Sequence, residues 1–246
     1  MLNLSVSVQP CLPGRKQQPT TSVRPDDCEI CGAPGGANGS LLEEHIVGKG
    51  KSKFICPICH MCLHLDVAGR QKAGKIIWLP EMSQEQLNIL CLAMFVAVGK
   101  SGVLRGNDAA KGVLIASKRR YDAFDKRSES IESFLGGSAC VASNQKDKAP
   151  LMSRQSLSSP LHLASLLVRV KREANLSARD LAARIDGVRL LPSPKAFDAY
   201  ISQVSKIVTK KYPVQTWAGH AATATASANA ALAKEPVAHF NAETIS

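Results

Sequence analysis

Apolar and polar positions alternate with a period of two from Leu2 to Val8, the pattern of a half-buried strand, and Pro10 closes it. A second strand is expected at Lys75 to Leu79, a short apolar run stopped by Pro80. The pattern then becomes helical. Leu87, Leu90, Cys91, Met94, Phe95 and Val98 recur at helical spacing, Ser83 and Gln86 form a capping box ahead of them, and Gly99 is placed to end the helix. Another helix is predicted from Ser117 to Leu135, with Tyr121, Phe124, Ile131, Phe134 and Leu135 on one stripe and two glycines after it. Ser159-Pro160 opens a helix to about Glu173, a shorter one covers Ser177 to Ile185, and a last one opens at Ser193-Pro194 and stops at Pro213.

Between these lie segments without periodicity. Residues 13–27 read as a linker, and 138–158, rich in Ser, Asn, Lys and Ala, as a flexible connection. Residues 214–246 carry little to bury and are expected to be a disordered tail. The chain therefore divides into a domain over 1–137, a linker over 138–158, a helical region over 159–213 and the tail. The class is α+β, with a mostly α-helical C-terminal portion.

Composition narrows the function. The 246 residues are 45% hydrophobic, ordinary for a globular chain, and the longest apolar stretch, Ile89 to Val98, falls short of the roughly 20 residues a bilayer span needs. The N-terminus lacks the features of a secretory signal, so a cytoplasmic location is expected, where thiols stay reduced. Eight cysteines then point to metal rather than disulfides. A net charge of +11 suits an acidic peptide or a nucleic acid as partner, although aromatics for base stacking are only 4%.

The cysteines have metal-binding spacing. Cys28 and Cys31, followed by Gly32, form one CxxC pair, and Cys56 and Cys59 form another, with residues 32–55 between them. Two such turns supply the tetrahedral thiolate set of a structural Zn2+ site, and a glycine after a knuckle accommodates positive φ. Cys62 leaves an alternative, since Cys59 and Cys62 are equally spaced and His60 or His64 can compete as ligands. Pro57 suits a knuckle turn, which favours Cys56 and Cys59, while Cys62 reads as the first turn of a following helix. Cys11, Cys91 and Cys140 are scattered, and Cys91 fits a helix core.

Glu44, His45 and His60 sit between and after the pairs, an order similar to zinc-stabilised HNH endonucleases. That likeness would make Glu44 and His60 ligands of a divalent ion and His45 the general base for phosphodiester hydrolysis. The middle asparagine of that family is missing, and the interval before Cys56 is short and filled by a basic loop, Gly48 to Lys53. A solvent-facing or structural role is the plainer reading of His45. A DNA-binding regulator is suggested by Asn175 to Ile185, which resembles the first two helices of a helix-turn-helix, but Gly187 to Pro194 is long and proline-rich for the tight turn.

A more specific likeness covers Cys28 to about Gly99. The cysteine pairs, the crowded Cys56, Cys59 and Cys62, and above all Ile76 to Gln84 followed by Gln86, Leu87, Asn88, Leu90, Cys91 and Phe95 resemble the IcmJ family, also called DotN, of type IVB (Dot/Icm) secretion and plasmid conjugation systems. The resemblance implies a zinc-knuckle, HNH-like (ββα) core whose nuclease function has been lost. It implies a non-enzymatic subunit of the cytoplasmic coupling complex that binds the coupling ATPase and so reaches the inner-membrane face through its partners.

Overall fold

A computed structural model describes Leu4 and residues 24–46, 52–99, 108–129, 131, 157–173 and 185–211. The strand expected at 2–8 (Leu4 apart), the helix at 177–185 (Ile185 apart) and the tail at 214–246 lie outside the described residues, as does nearly all of the connection at 138–158.

The described chain is mixed α+β and mostly helical, with two small antiparallel sheets. In the first sheet β1 (Glu43–Ile46) pairs with β2 (Ser52–Ile55), Glu43 opposite Ile55 and Ile46 opposite Ser52. Ser52 and Lys53 therefore belong to a strand, which corrects the basic loop expected through Lys53. Cys56 follows directly as the N-cap of α1 (Pro57–Leu63), its sulfur accepting from the Cys59 amide, and Pro57 takes the first helical turn, where no hydrogen bond is lost. Cys62 thus lies in the last turn of α1 and does not open the next helix, α2 (Leu65–Arg70).

The second sheet joins segments far apart in sequence. β3 (Gly74–Trp78) pairs with β4 (Val188–Pro192), from Gly74 opposite Pro192 to Trp78 opposite Val188. The proline-rich look of 187–194 hid β4. Its prolines fall at the strand end and beyond it, where a missing N–H costs nothing, and Val188, Leu190 and Leu191 are buried. Because this stretch is a strand, it is not the turn of a helix-turn-helix.

α3 (Gln84–Gly99) matches its expected span, and its capping box forms: the Ser83 amide donates to the Gln86 side chain at 2.9 Å and the Gln86 amide to the Ser83 hydroxyl at 3.3 Å. α4 (Asp108–Lys126) begins earlier and ends earlier than the predicted 117–135. A turn at Arg127–Glu129 interrupts it, where Arg127 leaves the helical run to pair with Glu81 and reach the Trp78 carbonyl, while Ile131 still enters the core. α5 (Pro160–Glu173) starts where expected, and a 3-10 turn at Pro194–Phe197 leads into α6 (Asp198–Lys211).

One hydrophobic cluster holds these elements together. Ile55, Ile58, Leu65, Ile76, Ile77, Leu87, Phe124, Leu163 and Leu190 are fully buried in it. α2 packs on α5, and α3 packs on α4 and α6, so residues on both sides of 138–158 share this core. No helix among the described residues is long and apolar enough to cross a membrane.

The α2–α5 contact depends on a missing side chain. A Cβ on Gly69 would sit 2.5 Å from the Leu161 amide nitrogen and Cβ, a clash with backbone that no rotamer change relieves. Gly69→Ala should therefore lower stability by about 1–3 kcal/mol, read as an earlier midpoint in chemical denaturation. An unchanged midpoint would mean that α5 does not dock on α2 at this distance.

Candidate metal centre

Two turns bring the cysteines together. In the first, the Cys28 amide donates to the Ala33 carbonyl at 2.8 Å and the Gly32 amide to the Cys28 carbonyl at 2.9 Å. Gly32 adopts φ 71°, the left-handed conformation expected after the knuckle. β2 carries the second turn to the first: the Glu29 amide donates to the Phe54 carbonyl at 3.1 Å, and the Phe54 amide returns a bond to the Glu29 carboxylate. The Cys56 amide then points at the Cys28 sulfur at 3.2 Å, and the Cys59 amide at the Cys56 sulfur at 3.4 Å. Amides aimed at sulfur stabilise thiolates and orient them toward a shared cation.

The sulfurs of Cys28, Cys31, Cys56 and Cys59 all lie within 4.8 Å of one another. Cys31 Sγ and Cys56 Sγ are 3.7 Å apart, close to the edge of about 3.8 Å that a tetrahedron with metal–sulfur bonds of about 2.3 Å requires. The four cysteines are thus placed to hold a metal ion, consistent with zinc. Their electrostatics make the same case. Hydrogen bonds from the Cys31, Cys56 and Cys59 thiols hold the Cys28 thiol far below its usual range, while the bonds that Cys56 and Cys59 make to their neighbours, together with burial, push those two up. A divalent cation that displaced the thiol protons would relieve this crowding.

Cys62, the alternative ligand, stands outside this group. Its Sγ donates to the Ile58 carbonyl at 3.3 Å, and burial pushes its thiol up to about 12. Cys91 is a buried core residue, as its helical position suggested.

Three residues that sequence reasoning did not single out for the site support the cysteines. Asn88, fully buried on α3, donates its amide to Cys59 Sγ at 3.3 Å and to Cys62 Sγ at 3.6 Å. Gln84, one turn earlier, donates to Asn88 Oδ1 and to the Leu190 carbonyl, both at 2.8 Å, and accepts from the Leu190 amide at 2.8 Å. Tyr200 of α6 lies against the cysteines and donates to the Pro34 carbonyl at 3.3 Å; burial, then the sulfurs of Cys56, Cys31 and Cys28, raise its phenol. Polar residues at i, i+4 on an otherwise apolar face were the legible signal for Gln84 and Asn88.

A second group of donors gathers beside the first. The rings of His45 on β1, His60 on α1 and His64 just after α1 meet edge to face, with centroids 4.7–5.4 Å apart. His45 is half-buried, packed against the other two rings. Glu44 has no place in this group: side chains alternate along a strand, so Glu43 and His45 share one face of β1 and Glu44 takes the other. It is the Glu43 carboxylate that bonds His60 Nδ1. Burial, and then the neighbouring His60, lower His45; His64 is lowered to about 4 by burial and then by His60 and His45, so both rings are neutral at physiological pH.

The chain matches no protein-family model and no curated protein. Fold and site define a class: a small α+β protein, mostly helical, with a cysteine cluster fit to hold a metal ion.

Asn88→Leu keeps the branched shape of the side chain, with added bulk, but removes the donor to Cys59 and strands Gln84. Loss of such a supporting bond is expected to weaken metal binding about 10–100-fold, measured by competition with a chromogenic chelator. Unaltered affinity would show that the amide contributes nothing to the thiolate.

Proposed function

We propose that this protein is a zinc-stabilised assembly subunit of the cytoplasmic coupling complex of a type IVB secretion or plasmid conjugation system, built on an HNH-like ββα core, and that it binds the coupling ATPase without being an enzyme. The observation that carries the reading is where the most distinctive part of the resemblance falls. The run from Ile76 to Phe95 connects the core to the cysteines: Ile76 and Ile77 are buried in β3, Gln84 closes the edge of β4, and Asn88 reaches Cys59. A signature that maintains a metal-pinned scaffold suits an adaptor, whose task is to present a stable surface. The hairpin β1–β2 followed by α1, with two ligands at its end, agrees with the ββα expectation. The charge of +11 suits an acidic stretch of the partner.

Zinc is expected at one equivalent in the cysteine set, contributing on the order of 10 kcal/mol to folding. Cys28→Ser should unfold the N-terminal half and abolish amide protection in β1, β2 and α1 by hydrogen exchange, whereas retained protection in metal-free protein would remove the structural role. Affinity purification of the tagged chain from its native host should recover a coupling ATPase, and recovery of other partners without one would overturn the assignment.

An HNH-type endonuclease is the second reading, favoured by His45 lying against His60. The position of Glu44 on the opposite face of β1 weighs against it. Nicking of supercoiled plasmid with Mg2+ or Mn2+, lost in His45→Ala, would replace the adaptor reading; no cleavage is expected.

A further inference from the structure

We propose that His45, His60 and His64 form a second metal site, separate from the cysteine set, that takes a borderline transition cation such as Zn2+, Co2+ or Ni2+ through three imidazole nitrogens. Three features support it. The first is distance. One donor nitrogen from each ring lies within 4.8 Å of the others, and His45 Nδ1 and His64 Nε2 are 3.3 Å apart. Metal–nitrogen bonds of about 2.0–2.1 Å in a tetrahedron set the nitrogen–nitrogen edge at about 3.3–3.4 Å.

The second is orientation. The Glu43 carboxylate occupies His60 Nδ1 and so leaves Nε2 as the free donor. A carboxylate behind a histidine fixes its tautomer and raises the basicity of the ligating nitrogen. Glu43 can do this because it lies two residues from His45 on the same face of β1 and within reach of α1.

The third is access. The His60 side chain is 20% exposed and that of Glu43 44%, so the cluster reaches solvent at His60, whereas three of the four cysteines are buried. Three nitrogen ligands leave a fourth tetrahedral position for water or for a donor from a partner. An all-imidazole set selects against Mg2+ and Ca2+, which prefer oxygen.

This set differs from the one the nuclease resemblance implies. There Glu44 and His60 hold the ion and His45 stays free as a base; here His45 is itself a ligand and Glu44 is not. It also goes beyond the adaptor reading, because neither the folding role of the cysteines nor the binding of an ATPase requires it.

Metal titration of the full-length chain with Zn2+ and Co2+ tests the site. The wild type should bind two equivalents. With Co2+, one should show the sulfur-to-metal charge-transfer bands of a thiolate site and the other only the weak visible bands of nitrogen ligation. His45→Ala combined with His64→Ala should lose the second equivalent and keep the first with its charge-transfer bands. Glu43→Gln should weaken the second equivalent about 10–100-fold, and Glu44→Ala should leave it unchanged. Absence of the nitrogen-ligated equivalent from the wild type, or its survival in the double substitution, overturns the proposal. If the double variant fails to fold, Glu43→Gln and Glu44→Ala decide, since equal effects from the two would also overturn it. Loss of the first equivalent alone would sink the zinc-scaffold reading and leave this one standing.

Discussion

The convergence of the Cys28 and Cys56 turns is the contact on which the rest of the N-terminal structure depends. β1 and β2 are four residues each and α1 is seven. Elements this short are marginal alone, because a two-stranded hairpin buries too little surface to offset its ordering entropy. What fixes them is the closure around the sulfurs: Cys28 receives the Cys56 amide, and Phe54 exchanges bonds with Glu29. A cation bound there would cross-link residues 28–31 to 56–59 and remove loop-closure entropy much as a disulfide does, with four bonds instead of one.

From this point order spreads by polar contacts as well as apolar ones. The edge of β4 faces away from β3 at Leu190, where both backbone groups need partners, and Gln84 satisfies both through its side-chain amide. Its remaining donor capacity goes to Asn88, and the amide of Asn88 goes to sulfur. A strand contributed from residue 188 onward is thereby connected to the Cys59 sulfur through two buried side chains. Such a relay tolerates no partial replacement, since a buried polar group left without its partner costs about 1–3 kcal/mol. Tyr200 ties α6 to the first cysteine turn through the Pro34 carbonyl.

What was legible in the sequence was what is local. The capping box at Ser83 and Gln86, the proline start at Pro160 and the positive φ of Gly32 each follow from a few neighbouring residues. The cysteine spacing was legible for the same reason, since each pair is a single turn. β4 was not, because its stability lies in pairing with β3 far away in the chain, and its prolines pointed to a loop. The C-terminal end of α4 was missed where tertiary contact overrode periodicity: Arg127 leaves the helix for Glu81. The histidine cluster needed the strand register. Glu44 beside His45 looked like a pair in sequence, whereas alternation puts Glu43 on the working face.

The two donor groups differ in ways that fit different tasks. The cysteines are mostly buried, lie under Tyr200 and supply four ligands, so a bound ion would have no position left for chemistry or exchange. The histidines supply three imidazole nitrogens at the margin of the hairpin, one ring held by the Glu43 carboxylate. α1 carries ligands of both kinds, Cys59 and His60, on successive residues that a helix turns about 100° apart. A single short helix therefore faces the buried set on one side and the open set on the other. An ion that orders the first set would also hold α1 for the second, and the coupling would run equally in the other direction, whether the open position serves a partner or remains with water.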